Sequence, residues 1–215
     1  LFNNTEYYLD ITNFNLVKNY IEIIQPDVII NSCAMTNVDR CEVDRHIAYR
    51  VNVEGLKNIT KSVSRSCQII HISSDYVFDG KTGNYSEVDP TYPVCYYGKT
   101  KLIGENFLNK KNSLIIRTNF FGKSISRKPS YTDWLIESYS RNPYQKIKIT
   151  KSFFSPLNLE TLIDLIEKAF FDFKLYGVYN LGSFARINKL NFSKKFFFLN
   201  FNNNENLKIL FSNFD

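Results

Sequence analysis

The chain has 215 residues, of which 44% are hydrophobic, and 27 Lys and Arg against 21 Asp and Glu give a net charge of +6. This length and apolar fraction suffice for one domain, or a domain with a small lobe, and exclude disordered and fibrous classes. No apolar run approaches the roughly 20 residues of a membrane span, and the first residues show no leader pattern. The sequence therefore predicts a cytoplasmic protein without a membrane partner.

The excess positive charge lies in the C-terminal part of the chain. Residues 1–122 hold 13 basic and 13 acidic side chains, whereas residues 123–215 hold 14 and 8. We favour a solvated basic face and expect no nucleic-acid partner, because scattered lysines without a recognisable module seldom bind nucleic acid. The alternative is a second lobe that holds a phosphorylated ligand.

The four cysteines and two histidines are too widely spaced to predict a metal site or a disulfide framework.

Helical and strand-like segments alternate over the first 122 residues. Apolar residues at helical spacing predict helices over residues 12–25, 44–64 and 96–109. Short apolar runs predict strands at residues 28–30, 68–72 and 114–117. Strands without polar alternation, separated by helices, indicate parallel strands that are covered on both faces. The predicted fold class is α/β, with a doubly wound parallel sheet.

The pattern loosens beyond residue 122. Helices are predicted over residues 132–140 and 159–170, a short strand at 146–149, and a strand-like segment at 177–182. No linker-like tract separates this part from the rest. We therefore expect a smaller C-terminal lobe that is continuous with the first part.

Ligands of doubly wound sheets bind outside the carboxyl ends of the strands. At these ends, the first predicted strand is followed by the segment Asn31–Thr36, whose residues are mostly small and polar. The second is followed by two hydroxyl residues, Ser73 and Ser74. Tyr97 and Lys101 stand four residues apart at the start of a helix and so share one face. Taken alone, such a pair is more often a surface phenol beside an amphipathic stem. In the catalytic interpretation, the ammonium lowers the pKa of the phenol while a serine hydroxyl holds a substrate carbonyl.

Four motifs together resemble the dTDP-4-dehydrorhamnose reductase family of the extended short-chain dehydrogenase/reductases. They are Pro26–Asn31, Ile72–Gly80, Tyr97–Glu105 and Arg117–Thr118, and the resemblance is strong from Leu9 to Gly122. It implies a Rossmann-like fold, with residues 1–122 as the dinucleotide-binding core and residues 123–215 as mainly a substrate-binding lobe.

The resemblance also implies a role for each matching residue. Ser74, Tyr97 and Lys101 take the catalytic positions, and Lys101 would both bind the nicotinamide ribose and lower the pKa of Tyr97. Tyr97 and Lys101 are also cofactor-binding positions, and the others are Asp10, Ile11, Ala34, Met35, Thr36 and Asn52. Positions that face the sugar nucleotide are Ser74, Asp75 and Phe120.

The implied activity is NADPH- or NADH-dependent reduction of the C4 keto group of a nucleotide-linked 4-keto-6-deoxy sugar. The best match is conversion of dTDP-4-dehydro-L-rhamnose to dTDP-L-rhamnose, and homodimerisation is left open. One alternative is a non-catalytic subunit of the methionine adenosyltransferase beta type, which the complete Ser, Tyr and Lys set disfavours. Another is a sugar-nucleotide epimerase or dehydratase, but dehydratases usually place Asp-Glu where this chain has Asp75 and Tyr76.

The sequence also departs from the family pattern. The glycine-rich turn that holds the pyrophosphate is missing, and it belongs to a first strand-helix unit that we expect before Leu1. Whether the chain as given is active is therefore left open. Phe120 stands where a Trp is common, and Lys151–Phe153 replaces a usual Asp-Gln pair.

Overall fold

The computed structural model describes residues 8–124, 129–141, 147–150 and 152–201, together with the backbone of residues 211–213. The chain forms two compact units, one of Leu1–Thr118 with Lys168–Asn180 and the other of Asn119–Glu167 with Leu181–Asp215. In the described part of the chain, no helix combines the length and apolar character that a membrane crossing requires.

A four-stranded sheet forms the centre of the first unit. Its strands, in spatial order, are β1 (Val28–Asn31), β2 (Gln68–Ser74), β3 (Ser113–Thr118) and β8 (Gly177–Leu181). β1 pairs with β2 and β2 with β3 in parallel, which confirms the predicted α/β fold with a parallel sheet. Every residue of β3 is buried, as its apolar run predicts. β8 returns to this sheet from beyond residue 122, so the unit is not one continuous stretch of chain.

One strand is less covered than the sequence predicts. Ile30 of β1 has 62% of its surface exposed, although we expected both faces of each strand to be buried. The reason is position, because β1 is an edge strand of the sheet within the described residues.

Within the described residues, the α-helices of the first unit are α1 (Phe14–Ile24), α2 (Val38–Val43), α3 (Arg45–Tyr49), α4 (Gly55–Ser62) and α5 (Tyr96–Glu105), and Lys168–Asp172 form a π-helical turn. The predicted helix over residues 44–64 is present as α3 and α4, joined by a π-helical turn at Arg50–Glu54. The short α2 escaped prediction, and Asn37 caps it by accepting a hydrogen bond from Arg40 N–H. α1 and α4 pack on the sheet through a shared apolar core that includes Val17, Leu56 and Ile115.

In its described residues, the second unit contains small strand pairs and three α-helices. Its elements are β4 (Phe120–Phe121), α6 (Tyr131–Arg141), β5 (Ile147–Ile149), β6 (Phe153–Phe154), β7 (Leu157–Asn158), α7 (Leu159–Glu167), β9 (Ile187–Asn188), α8 (Lys189–Phe201) and β10 (Phe211–Asn213). The pairs β4–β7 and β5–β10 are parallel, and β6–β9 is antiparallel. Leu135, Ile147, Ile149 and Phe197 form its buried core. Lys146, which we predicted to begin β5, lies outside the described residues.

A buried ion pair fastens α5 to the sheet. Arg117 Nη2 of β3 lies 2.7 Å from Glu105 Oε2 of α5, and the two side chains are only 7% and 3% exposed. Ser73 Oγ of β2 donates a hydrogen bond of 2.5 Å to Glu105 Oε1. The Arg117 guanidinium also lies over the Phe78 ring, 5.3 Å from its centroid. Since a buried charge without a partner is costly, each group depends on the other.

We predict that Arg117→Met lowers the free energy of unfolding by about 3–5 kcal/mol, because it leaves the Glu105 carboxylate buried and unpaired. The matched control is Arg45→Met. Arg45 also lies 2.7 Å from a carboxylate, that of Glu42, and over a ring, that of Tyr96, but its side chain is 64% exposed. The control should barely move the urea midpoint. Equal losses in the two variants would contradict the importance of burial.

Candidate active site

The candidate site lies at the carboxyl end of β2, a central strand of the sheet. Ser74 is the last residue of β2, and its Oγ accepts a hydrogen bond from Tyr76 N–H, which caps a short 3-10 turn over Asp75–Val77. The same hydroxyl donates to Asp75 Oδ1 at 3.3 Å. This turn holds the Ser74 side chain, which is buried, at the carboxyl end of the parallel sheet, where such folds bind ligands.

A glycine lets α5 lie directly against that turn. A Cβ at Gly98 would be only 2.1 Å from the Tyr76 carbonyl oxygen, so no other residue fits without moving the helix. The N-terminus of α5 is capped by Cys95, whose Sγ accepts from Gly98 N–H, and by Glu42, whose Oε1 accepts from Tyr96 N–H. These contacts fix the first turn of α5, and with it Tyr97.

Tyr97 is buried beside Ser74. Burial raises the pKa of Tyr97 to about 12, the neighbouring Ser74 hydroxyl lowers it, and the Asp75 carboxylate raises it. We expected Lys101 to lower the pKa of Tyr97, but this pKa is raised above its ordinary value. The physical reason is that desolvation of the phenolate dominates, while the Lys101 ammonium makes its contacts elsewhere.

Lys101 lies one turn beyond Tyr97 and is 2% exposed. Its Nζ donates to the Ile72 carbonyl oxygen at 2.7 Å and lies 3.4 Å from His71 Nε2. Burial lowers the pKa of Lys101 to about 8, against the opposing charges of Glu105 and Cys33. Ser74 lies beside Tyr97, and Lys101 contacts β2, so the structure brings the three predicted catalytic side chains together at one end of one strand.

Asn52 links the loop after β1 to α5. Its side-chain amide exchanges two hydrogen bonds with the backbone of Met35, at 2.7 and 3.2 Å. It also donates to Thr100 Oγ1 at 2.9 Å, and that hydroxyl donates to the Tyr97 carbonyl oxygen at 2.7 Å. Asn52, which we predicted to be a cofactor-binding position, therefore ties the backbone of Met35 to the helix that carries Tyr97.

The remaining predicted residues lie in different surroundings. The Asp10 carboxylate accepts two hydrogen bonds from Thr12, and these lower its pKa, whereas the Ile11 side chain is buried in the apolar core. Ala34 is half-buried and Thr36 is exposed beside Met35 in the loop after β1. Phe120, 47% exposed, belongs to β4 of the second unit. These cofactor and substrate roles stay predictions.

Several buried polar residues near the site went unassigned in the sequence analysis. They include Asn31, His71, Glu105 and Arg117. Two of them could have been found from their spacing in the sequence. Glu105 follows Lys101 by one helical turn, and His71 precedes Ser73 by the two-residue period of a strand, so each shares a face with a residue that the sequence analysis had named. Asn31 and Arg117 become visible only through the strand register, which pairs them with His71 and Ser73.

A parallel α/β sheet with Ser, Tyr and Lys gathered at the carboxyl end of a central strand defines a Rossmann-like protein of the short-chain dehydrogenase/reductase class. Comparison with protein families narrows this class. The chain belongs to the family described as the RmlD substrate binding domain, whose model matches residues 2–208. This confirms the resemblance to dTDP-4-dehydrorhamnose reductases.

Individual relatives agree with the family. The chain is 44% identical over 120 residues to the dTDP-4-dehydrorhamnose reductase of Aggregatibacter actinomycetemcomitans, an alignment that covers 54% of this chain and 41% of that protein. It is 39% identical over 120 residues to the spore coat polysaccharide biosynthesis protein SpsK of Bacillus subtilis, covering 54% of this chain and 42% of that one. The alignments thus span about two fifths of the length of these relatives.

Solved structures share the fold. A hypothetical dTDP-4-dehydrorhamnose reductase of Sulfolobus tokodaii superposes with a TM-score of 0.84 at 32% identity, over 100% of this chain and 76% of that one. The dTDP-4-dehydrorhamnose reductase of Bacillus anthracis, solved in complex with NADP, superposes with a TM-score of 0.84 at 28% identity, over 96% of this chain and 72% of that one.

We predict that Lys101 makes stability rise between pH 8 and pH 10. Its pKa is about 8 in the folded chain and near 10.5 when exposed, so in this window the unfolded chain binds a proton that the folded chain does not. Lys101→Met should remove the rise, whereas Lys99→Met, an exposed lysine of the same helix, should keep it. Urea midpoints at pH 8 and pH 10 measure the effect. Parallel behaviour of the Lys101→Met variant and the unmodified protein would contradict the assignment.

Proposed function

We propose that this protein is an NAD(P)H-dependent reductase of the C4 keto group of a nucleotide-linked 4-keto-6-deoxy sugar. The observation that carries the proposal is the burial of Tyr97 beside the Ser74 hydroxyl, with Lys101 one helical turn further on. A buried phenol beside a serine hydroxyl can bind a carbonyl oxygen from two sides, which is the arrangement that carbonyl reduction requires.

The donor set fits a nicotinamide cofactor. An ammonium has three N–H donors, and Lys101 uses one of them on the Ile72 carbonyl oxygen, so a donor is available for a ribose hydroxyl. The loop after β1, which Asn52 holds in place, offers small side chains along which a flat ligand can lie. When bound, a reduced nicotinamide supplies the hydride that the C4 carbon accepts.

Tyr97 supplies the proton in this proposal. With a pKa of about 12 it stays protonated at neutral pH, and a C4 alkoxide is more basic than a phenolate, so the proton passes from Tyr97 Oη to the C4 oxygen. Ser74 donates a hydrogen bond to the same oxygen and orients it. The C=O group thereby gains one hydride and one proton and becomes an alcohol, and Tyr97 is left to be reprotonated.

The names of the relatives support the choice of substrate. Several are dTDP-4-dehydrorhamnose reductases and one is a spore coat polysaccharide protein, so we propose dTDP-4-dehydro-L-rhamnose as the substrate and dTDP-L-rhamnose as the product. The NADP complex of the Bacillus anthracis relative supports NADPH, with NADH as the alternative.

We assign residues 1–122 mainly to the cofactor and residues 123–215 mainly to the sugar nucleotide, and we add Phe120 to the residues that face the sugar nucleotide. Four of the basic residues between 123 and 151 lie outside the described residues, namely Arg127, Lys128, Lys146 and Lys151. The basic face, homodimerisation and the cytoplasmic location stay predictions.

We predict that Tyr97→Phe in the whole protein lowers the rate of keto reduction at least about 100-fold, because no other group at the site replaces the lost proton donor. Affinity for NADPH should change little, since the phenol hydroxyl is the only group removed. Tyr96→Phe is the matched control, because it removes a neighbouring phenol of the same helix, and it should keep most of the rate. Absorbance of the reduced nicotinamide reports turnover, and calorimetry reports affinity.

A Tyr97→Phe variant as active as Tyr96→Phe would exclude Tyr97 as the acid. If the unmodified protein bound the nucleotide sugar and NADPH but never turned them over, the non-catalytic regulatory alternative would replace the reductase proposal.

A further inference from the structure

Behind Lys101 lies a buried polar pair that the proposed chemistry does not use. Asn31 ends β1 and His71 lies opposite it on β2, and the two are 3% and 1% exposed. Partners at the same register of parallel strands point to the same face of the sheet. That face carries α5, and the result is a buried chain of contacts from Asn31 through His71 to Lys101.

The hydrogen bonds of Asn31 determine where His71 holds its proton. Asn31 Oδ1 accepts from Cys33 N–H at 3.2 Å, which turns its Nδ2 donor toward His71 Nδ1 at 3.1 Å. A ring nitrogen that accepts a hydrogen bond carries no proton. Burial and the charge of Lys101 keep the ring neutral by lowering the pKa of His71 well below its usual range. The single ring proton of His71 therefore belongs on Nε2.

His71 Nε2 lies 3.4 Å from Lys101 Nζ. An N–H group that faces an ammonium sets two donors against each other, whereas a neutral amine has a lone pair that accepts from Nε2–H. The amine can still donate to the Ile72 carbonyl oxygen. The His71 contact thus opposes the charged form of Lys101 from one side.

We propose that Asn31 and His71 are positioning residues for Lys101, and that the proton on His71 Nε2 favours the neutral amine of Lys101 over its ammonium. Other groups act in the opposite sense. Glu105, one turn further along α5, and Cys33, in the loop after β1, both favour the ammonium, and Tyr97 lies one turn before it. Since Glu105 is already paired with Arg117, its pull on Lys101 is reduced. A pKa of about 8 for Lys101 is consistent with this balance.

The consequence for turnover rests on the proposed function. After Tyr97 has given its proton to the C4 oxygen, the site must receive a proton again. A Lys101 whose charged and neutral forms are close in free energy near neutral pH can lose a proton and regain one from solvent in each cycle, whereas an ordinary lysine would stay charged.

The first test measures the proton on His71 without any activity. Long-range proton–nitrogen spectra of the 15N-labelled whole protein include the rings of His46 and His71, the two histidines of this chain, and the variants His46→Gln and His71→Gln assign their signals. We expect a neutral His71 ring with its proton on Nε2 at pH 7. A proton on Nδ1, or a doubly protonated ring, would overturn the inference.

The second test removes the residue that sets the tautomer. Asn31→Leu adds no charge but leaves His71 free to place its proton on Nδ1 and to accept from Lys101, so the titration midpoint of Lys101 should rise by about one pH unit, the equivalent of one hydrogen bond. The Cε signal of 13C-labelled lysine, assigned with Lys101→Met, reports this midpoint. Asn58→Leu is the control, because it also removes an asparagine bonded to the backbone, here to the Ile11 carbonyl oxygen.

If the titration midpoint of Lys101 is unchanged in Asn31→Leu, the inference is wrong. It is also wrong if Asn58→Leu shifts this midpoint by the same amount. Neither spectrum depends on turnover, so a failure of the reductase proposal leaves both readouts intact. In an active enzyme, the alkaline limb of kcat/KM should move to higher pH in Asn31→Leu together with the midpoint. A uniform loss of rate at every pH would indicate a merely structural role.

Discussion

The burial of three polar side chains of α5 against the middle of the sheet is the constraint on which the site depends. Tyr97, Lys101 and Glu105 follow one another by one helical turn, and each meets a polar group on β2. Burying such groups is unfavourable unless all of them find partners. The partners exist because the parallel register places Asn31 beside His71 and Arg117 beside Ser73. The helix can therefore take one position on the sheet, and the catalytic side chains take theirs with it.

The close approach at Gly98 completes this arrangement. With a hydrogen in place of a side chain, α5 contacts the Tyr76 carbonyl oxygen, and the turn after β2 becomes one wall of the site. Gly104 allows a second close approach further along α5, because a Cβ there would lie 2.9 Å from the Asn52 carbonyl oxygen. The two glycines let the helix touch backbone on both sides, so Asn52 and Ser74 reach it with short side chains.

Much of the first unit could be predicted from the sequence, because its elements have distinct periodicities. The apolar runs that became β2 and β3 and the helical spacing of α1 and α5 all specify local structure directly. The π-helical turn at Arg50–Glu54 could not be predicted, since its apolar spacing differs little from that of an α-helix. In the second unit the many aromatic residues suit helix, strand and core alike, so β6, β9 and α8 left no separate signal.

The site shows a similar division. The Tyr-x-x-x-Lys spacing identified Tyr97 and Lys101, but the pKa of Tyr97 moves opposite to the expectation because its burial is a property of the packed molecule. The contacts of Lys101 could not be predicted from the sequence either. His71 is an isolated histidine in the sequence, and it becomes a neighbour of Lys101 only when β1, β2 and α5 are assembled.

The most direct test of the proposed chemistry follows the hydride itself. The whole protein would be incubated with dTDP-4-dehydro-L-rhamnose and NADPH deuterated at the transferable position of the nicotinamide, and the product examined by NMR and mass spectrometry. The account predicts one deuterium on C4 of the dTDP-L-rhamnose formed. A product without deuterium at C4, or with solvent hydrogen exchanged at a neighbouring carbon in its place, would contradict it and favour epimerase or dehydratase chemistry.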